Sequence, residues 1–385
     1  MKELHIGLWG EDNFKNYTPL VALKNGSTLL ILGPLQQQKA IIASLSGRYG
    51  SPLFLAWSDA PTEEDFYRLN ETITDLNAEK ISLNLSSGDR LNAMRLLQWA
   101  LKEDIHAYLI DEKDQKHWLN PTNLPATQIH DLANLKEYFR VHQIKLLSHG
   151  MGLRINQSLR NMVEQWVLEF DHPTPFRYLN KLASTARPVE PPNDAQQYVA
   201  NMSENWQHSS LATHLKDLRD NELVQLDNRE ILFTNDSARF FCNGGWLELF
   251  VYEQLCKLKR SLSTLQDVRL GLEILYPEQV KNELDVVFLA NNQLHIIEIK
   301  TSYLSNDTSS ANQLIYKLEA LSASLGKEVK GMVVSLSDLP NSSIKRAGLY
   351  DIEVVSGQAI KRLPSRLSSW IQENSDNLVS IDERN

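Results

Sequence analysis

Cysteine is nearly missing from this chain: Cys242 and Cys256 are the only two in 385 residues. Two thiols so far apart from any histidine pair exclude both a disulfide framework and a zinc site of the usual spacing. Long apolar runs are also missing, so nothing approaches transmembrane length, and the start, Met1 to Gly7, lacks the apolar stretch of a signal peptide. The expectation is a cytoplasmic protein with no membrane partner. An excess of positive charge is absent too. The net charge is −9, so a nucleic-acid partner would have to be held by local basic patches or by metal ions. What remains is ordinary for a folded protein: 42% hydrophobic and 23% charged residues, in a chain long enough for two or three domains.

The most informative stretch is Asn282 to Lys300. Two Val- and Ile-rich runs flank Asn291-Asn292, and asparagine tolerates the positive φ of a tight hairpin turn. With those two residues as the loop, Ala290 faces Gln293, Val287 faces Ile296, Asp285 faces Glu298 and Glu283 faces Lys300. Alternation then puts Glu283, Asp285, Glu298 and Lys300 on one face, and Leu284, Val286, Phe288, Ile297 and Ile299 on the other. Opposed carboxylates at one end of a hairpin buried on both sides repel and lose solvation. Either a divalent cation resolves this, with Lys300 beside it, or Lys300 simply neutralises a carboxylate at a solvated end. Upstream, Glu248 lies in a helical stretch from Trp246 to Leu255. Its neighbours at three, four and seven residues on are Val251, Tyr252 and Leu255, so this carboxylate needs a partner from elsewhere. Glu253 is expected to face solvent.

Ahead of this region, short strand-like runs alternate with helical ones: 5–9, 28–32, 53–56, 81–85 and 107–110 as strands, with helices over 36–45, from a Thr62 cap, and over 91–101. That pattern predicts a parallel α/β sheet, whose ligands sit beyond the carboxyl ends of the strands. Two such loops stand out. One is Trp9-Gly10-Glu11-Asp12-Asn13. The other is Asn84 to Met94, in which Ser86, Ser87, Gly88, Asp89 and Arg90 lead into a helix. The second suits a phosphate by its N–H groups and hydroxyls, yet Ser-Ser-Gly-Asp is equally a turn and helix cap, and Asp89 would repel an anion. Between the two regions a helix is expected over 156–170, then a proline-dense connection from 171 to 192. Helices over 194–206 and 210–220 follow, then a hairpin over 223–233. His208 and His214 are expected as ordinary surface or core histidines.

The Asn84 to Met94 turn resembles, through Asn84, Gly88 and Met94, the signature of the CARF domain, a Rossmann-like sensor. The resemblance implies a homodimer that binds a cyclic oligoadenylate, with cyclic tetra-adenylate the ring size expected; Trp9, Gly10, Glu11, Asn13, Asn84, Ser86, Ser87, Gly88, Asp89 and Arg90 are the candidate ligand residues. The last third is similar to the restriction-endonuclease-like PD-(D/E)xK nucleases. Trp246-Leu247-Glu248 matches the first-helix motif, Asp285 the single Asp, and Glu298-Ile299-Lys300 the (D/E)-x-K element, with Leu284 in place of the proline. The resemblance implies Glu248, Asp285, Glu298, Lys300 and Lys317 as catalytic residues, with Gln313 a further candidate. Mn²⁺ or Mg²⁺ would be held by Asp285, Glu298, the Ile299 carbonyl and Glu248; all-oxygen ligation suits these ions. Together the chain resembles CARF-fused nucleases that accompany type III CRISPR systems. The expected fold class is α/β: a Rossmann-like sensor domain (1–150), a helical, winged-helix-like segment (151–235) and a nuclease domain (236–385) that cuts DNA and/or RNA. Two alternatives stand: a ligand-independent restriction- or repair-type nuclease, and a non-catalytic regulator that senses nucleotides or binds nucleic acid.

Overall fold

The computed structural model describes residues 3–21, 27–190, 196–203 and 206–376. The front elements are β1 (Glu3–Leu8), α1 (Phe14–Val21), β2 (Ser27–Gly33), α2 (Gln38–Leu45), β3 (Leu53–Ala56), α3 (Glu63–Leu76), β4 (Lys80–Asn84), α4 (Arg90–Lys102), β5 (His106–Ile110), β6 (Gln115–Asn120), β7 (Thr127–Gln128), α5 (Leu135–Val141) and β8 (Lys145–Ser148). Next come α6 (Gln157–Leu168), α7 (Thr174–Thr185), β9 (Arg187–Pro188), β10 (Tyr198–Asn201), α8 (Ala212–Asp220), β11 (Val224–Asp227) and β12 (Glu230–Phe233). The rear elements are α9 (Asp236–Phe240), α10 (Trp246–Leu258), β13 (Leu265–Leu275), β14 (Lys281–Ala290), β15 (Gln293–Lys300), α11 (Thr308–Leu325), β16 (Lys330–Ser335), α12 (Asn341–Leu349), β17 (Ile352–Ser356) and α13 (Leu363–Asp376). No described helix is long and apolar enough to cross a membrane.

The front sheet runs β3-β2-β1-β4-β5-β6-β7. Its first five strands are parallel, as the alternating pattern predicted, and β6 and β7 add an antiparallel edge that it did not. Winding reverses between β1 and β4, so the loops after these two strands flank the switch-point crevice. Thr62 caps α3 in a reciprocal capping box with Asp65.

The middle segment corrects two expectations. The proline-dense connection contains α7, because Pro175 stands in the first turn, where its missing N–H costs nothing. The helix expected over 194–206 begins outside the described residues, and its later part is a strand: β10 pairs with β12, Tyr198 opposite Phe233 and Val199 opposite Leu232. Aromatic and β-branched residues accept that extended pairing readily. The hairpin of β11 and β12 turns at Asn228, φ 43°. His214 is a core histidine between the rings of Trp166 and Phe176, while the side chain of His208 lies outside the described part.

The rear sheet runs β17-β16-β15-β14-β13-β8. Its outer strand β8 comes from the front segment and pairs with β13. The Asn-Asn hairpin forms as expected, with φ 51° at Asn291 and 55° at Asn292, Ala290 opposite Gln293 and Val287 opposite Ile296. The register does not continue to the charged end. The ladder stops at Val286 and Ile297, so Asp285 and Glu298, and Glu283 and Lys300, are not directly opposed. The Asp285 carboxylate instead accepts the Ile299 N–H at 2.7 Å through Oδ2, doing the work of a lost ladder bond.

Leu284 also leaves the face assigned to it. Leu270 and Val286 pack into one core cluster, whereas the next pair, Leu272 and Leu284, packs into another. Between them Gly271 holds φ 54°, a left-handed conformation that flips the sheet's faces at the point where Asp285 stands. A Cβ there would meet the Gly150 carbonyl oxygen at 3.3 Å. Gly271→Ala should therefore cost about 1–2 kcal/mol in urea unfolding; an unchanged midpoint would contradict this.

Two apolar layers cover the rear sheet. One joins it to the middle segment through Trp166, Phe176, Trp246 and Phe288. The other joins it to the front: Phe14, Tyr17 and Leu20 of α1 and Phe139 of α5 share a cluster with Leu289, Leu294, Ile296 and Leu314. The front sheet's far face has its own core around Ile6, Leu83 and Trp99.

Candidate active site

α10 begins after a kinked stretch in which Gly244 takes φ 123°, the positive region that glycine adopts without strain. Trp246, Leu247, Leu249, Phe250 and Val251 are buried, and packing on β13 aims Glu248 at the charged end of the hairpin. A cleft of about 530 Å³ opens there, lined by Glu248, Glu283, Asp285, Ile299, Lys300 and Lys317 from the rear and by Asn180, Lys181 and Ser184 of α7. The structure thus gathers the predicted residues around one cleft. Glu298, 3% exposed, lies beneath two of the lining lysines, with Lys300 Nζ at 2.9 Å and Lys317 Nζ at 2.7 Å from its Oε1. Lys317 reaches there from α11, while Gln313, one turn earlier, is exposed and does not line the cleft. Glu253 differs from expectation: it pairs with Arg160 of α6 at 2.9 Å, with its side chain 13% exposed.

The electrostatics are those of crowded acids. Burial first, and then the Glu298 charge, push the Asp285 carboxyl up from its ordinary range. Burial, then Asp285 and Glu283, push Glu248 further. Burial opposes the charge of Lys300, but Glu298 and Asp285 outweigh it and hold the ammonium above the usual lysine value.

A test follows from Glu248. Its folded value lies above its unfolded one, so protonation stabilises the fold. That benefit is complete in acid and is lost as pH rises from the usual carboxylate range through the raised value. Glu248→Gln stays neutral throughout. Without divalent ions its melting temperature should gain on the unsubstituted protein between pH 5 and 8, by roughly 2 °C. A gap that stays constant across that range would sink the assignment.

Among the described residues no group of three or more His, Cys, Asp and Glu side chains comes together to hold a metal ion. The donors present nonetheless fit a hard cation: Asp285 and Glu298 each commit one oxygen to the contacts above, and Ile299 lines the cleft. Magnesium-type sites use one or two carboxylates completed by water and substrate phosphate, not a closed protein cage.

The front crevice is largely occupied by its own loops. Gly10 lies so close to Gly88 that a Cβ would fall 2.2 Å from the Gly88 Cα. Trp9 Nε1 donates to Gln37 at 3.1 Å. Asn13 Oδ1 accepts from Gly10 N at 3.0 Å and Ser87 Oγ at 3.3 Å. Asn84 donates to the Lys15 carbonyl at 2.7 Å and accepts from Ser86 N, and Ser86 Oγ accepts from Ile110 N at 2.7 Å. Asp89 caps α4, accepting from Leu91 N and Asn92 N at 3.0 Å each. Although burial pushes the other way, these bonds hold its carboxyl below the usual range. Glu11 and Arg90 are exposed at the rim.

Sequence reasoning missed Lys15 and Glu328. Lys15 Nζ sits 3.1 Å from Asp12 and 2.6 Å from Glu328, in the turn between α11 and β16, tying the loop after β1 to the rear. It also missed Asn180, Lys181 and Ser184, which the hidden helix α7 brings in. The available signal was Pro175 followed by the apolar spacing Phe176, Leu179, Leu182 and Ala183.

Residues 235–374 match the model of the Card1-like endonuclease domain; the C-terminal region carries that domain. No curated protein matches the chain. Among solved structures, protein VC1899 from Vibrio cholerae superposes with a TM-score of 0.81 at 23% identity, over 97% of this chain and 98% of that one. Can2 from Sulfobacillus thermosulfidooxidans, in complex with cyclic tetra-adenylate, gives 0.71 at 19% identity over 96% of each. A type III CRISPR defence DNA nuclease activated by cyclic oligoadenylate gives 0.53 at 16%, over 89% of this chain and 47% of that one. The chain shares their α/β fold.

Proposed function

We propose that this protein is a nuclease of type III CRISPR defence that hydrolyses phosphodiester bonds of DNA or RNA with Mn²⁺ or Mg²⁺, and that a cyclic oligoadenylate at the front crevice activates it. The carrying observation is Glu298, buried beneath two ammonium groups and beside Asp285, inside the endonuclease domain. Asp285, Glu298 and the Ile299 carbonyl would hold the cation, with Glu248 at its edge. When bound it supplies charge neutralisation at the phosphate and acidifies a water. Hydrolysis joins a water oxygen to phosphorus, breaks one bridging P–O bond and leaves a proton on the departing oxygen. Lys300 orients that water and stabilises charge at phosphorus; Lys317 keeps Glu298 and Lys300 in register.

For activation, the fold shared with the complex of cyclic tetra-adenylate supports the front crevice as the ligand site. The protein acts as a homodimer in this reading: Leu91 and Met94 lie exposed in the first turns of α4 beside the crevice, and Leu101 lies exposed near the other end of the same helix, an apolar surface suited to a second copy. Contacts run from the crevice to the carboxylate: Asn84 to the Lys15 carbonyl, Lys15 to Glu328, and α11, which ends just before Glu328, to Glu298 through Lys317. Lys15→Ala should therefore lower ligand-stimulated cutting about tenfold while leaving unstimulated cutting unchanged. Equal loss with and without ligand would refute this coupling.

The Asp89 cap supports a second reading, a nuclease that needs no ligand, because its carboxylate already occupies the α4 N-terminus where an anion would bind. One assay separates the readings: cleavage of labelled DNA and RNA in Mn²⁺, with and without cyclic tetra- or hexa-adenylate. Ligand-dependent cutting that EDTA abolishes is expected. Ligand-independent cutting favours the second reading, and no cutting under any condition leaves a non-catalytic regulator.

A further inference from the structure

α7 turns Phe176, Leu179, Leu182 and Ala183 into the core. Its remaining face carries Arg177, Asn180, Lys181 and Ser184, three or four residues apart and therefore in one stripe. Asn180, Lys181 and Ser184 line the cleft that holds Lys300 and Asp285. Asn180 is braced against the active strand: its Nδ2 donates to Thr301 Oγ1 at 2.9 Å, next to Lys300. Its Oδ1 is buried without a hydrogen-bond partner. The Arg177 guanidinium lies over the Tyr303 ring, 4.3 Å from its centroid. Tyr303 and Phe240, the latter on the cleft wall, are each 38% exposed.

Charge pairing sets Arg177 and Lys181 apart. Nearby cations are committed to acids: Arg160 to Glu253, Arg239 to Asp236 and Lys257 to Glu164. Among the described residues, neither Arg177 nor Lys181 has such a partner, though the chain carries a net charge of −9. Two cations without acidic partners, Arg177 against the half-exposed Tyr303 and Lys181 lining a cleft that Phe240 and the ammonium groups of Lys300 and Lys317 also line, are complementary to a phosphate backbone with unpaired bases. A duplex would hide those base faces.

We infer that α7, with Tyr303 and Phe240, is the track that seats a single nucleic-acid strand across the active site. This rests on the nuclease reading of the same cleft. Lys181 and Arg177 neutralise phosphates flanking the one being cut. Arg177 also holds the Tyr303 ring flat, so that a base stacks on it, and Phe240 offers a second face. The middle segment is thereby half of the substrate site.

The test uses the full chain with cyclic tetra-adenylate in every arm. Binding of a fluorescent single strand, as DNA and as RNA, and of a duplex is read by anisotropy in Ca²⁺, across a salt series; cleavage is timed in Mn²⁺. For the R177A/K181A double variant the salt slope on single strands should fall by about 1.4, two phosphates at about 0.7 each. KM should rise at least tenfold, with kcat within about threefold. R177K/K181R keeps both charges and should restore the slope. Tyr303→Ala should weaken single-strand binding about tenfold and duplex binding little. An unchanged slope and KM in R177A/K181A, or equal losses on single strands and duplex in Tyr303→Ala, would overturn the inference. Lys300→Ala separates the two levels. If it cuts normally, the nuclease site itself is wrong; if it binds but does not cut while R177A/K181A behaves as unsubstituted protein, only the track is wrong.

Discussion

Lys300→Ala lowers kcat for strand cleavage by about 10²–10³-fold and leaves the fold intact, as loss of one aligned charge-stabilising group does in other hydrolytic sites. The expectation rests on position. Lys300 ends β15, its ammonium 2.9 Å from Glu298 Oε1, and it lines the cleft beside Asp285. It is 40% exposed, so truncation removes charge without opening a core cavity. Glu298 does not lose its neutralisation, because Lys317 stays on the same oxygen at 2.7 Å. A circular-dichroism melt within about 2 °C of the unsubstituted protein, with single-turnover cutting nearly abolished, is the expected pair of results. Cutting that persists at more than a tenth of the original rate would remove Lys300 from the chemistry. Lys317→Ala should be milder, since the proposed role of Lys317 is to hold Glu298 Oε1 and not to stabilise charge at phosphorus. A fall in kcat as large as that for Lys300→Ala would exchange the two roles.

Phe139→Ala carries the largest expected effect on stability, about 3–5 kcal/mol. Phe139 is fully buried on α5, in the cluster that unites α1 and α5 of the front with Leu289, Ile296 and Leu314 of the rear. Polar ties cross the same junction: Tyr138 Oη donates to the Leu325 carbonyl at 3.0 Å, and Lys15 reaches Glu328. A cavity there weakens both sides together. Chemical denaturation followed by tryptophan fluorescence should move to lower urea as one coincident transition, with cleavage lost over the same range. Two separated transitions, with the rear persisting, would show that the junction is not a shared core.

Local signals carried far. Asn291-Asn292 with alternating flanks predicted the hairpin and its turn-proximal register, since positive φ and side-chain alternation are properties of a few residues. Glu248 was conspicuous because a carboxylate on an apolar helical stripe contradicts its surroundings. Long-range geometry was what the chain hid. Gly271, on the neighbouring strand β13 and outside the hairpin, flips the faces and so moves Leu284 and frees Asp285 from its expected partner. Pro175 read as a breaker although it starts α7. The stretch from Tyr198 reads as helix by itself and becomes a strand only through pairing with β12. In the front loops the sequence left a phosphate turn and a helix cap both open; the fold shows Asp89 as the cap, bonded to Leu91 and Asn92, and Ser86 spent on Ile110, a partner no local pattern indicates.

β8 bears on the ancestry of the molecule. The residues that match the endonuclease model begin at 235, yet the sheet they build ends on a strand from 145–148. Recombination that transplanted only the matching stretch into another gene would leave the outer edge of β13 unpaired over Ile274 and Leu275, an invitation to intermolecular strand addition. It would also strip the apolar layer that α1 and α5 provide. The unit that selection can shuffle is therefore the endonuclease-matching stretch together with the front segment that completes its sheet and its apolar cover.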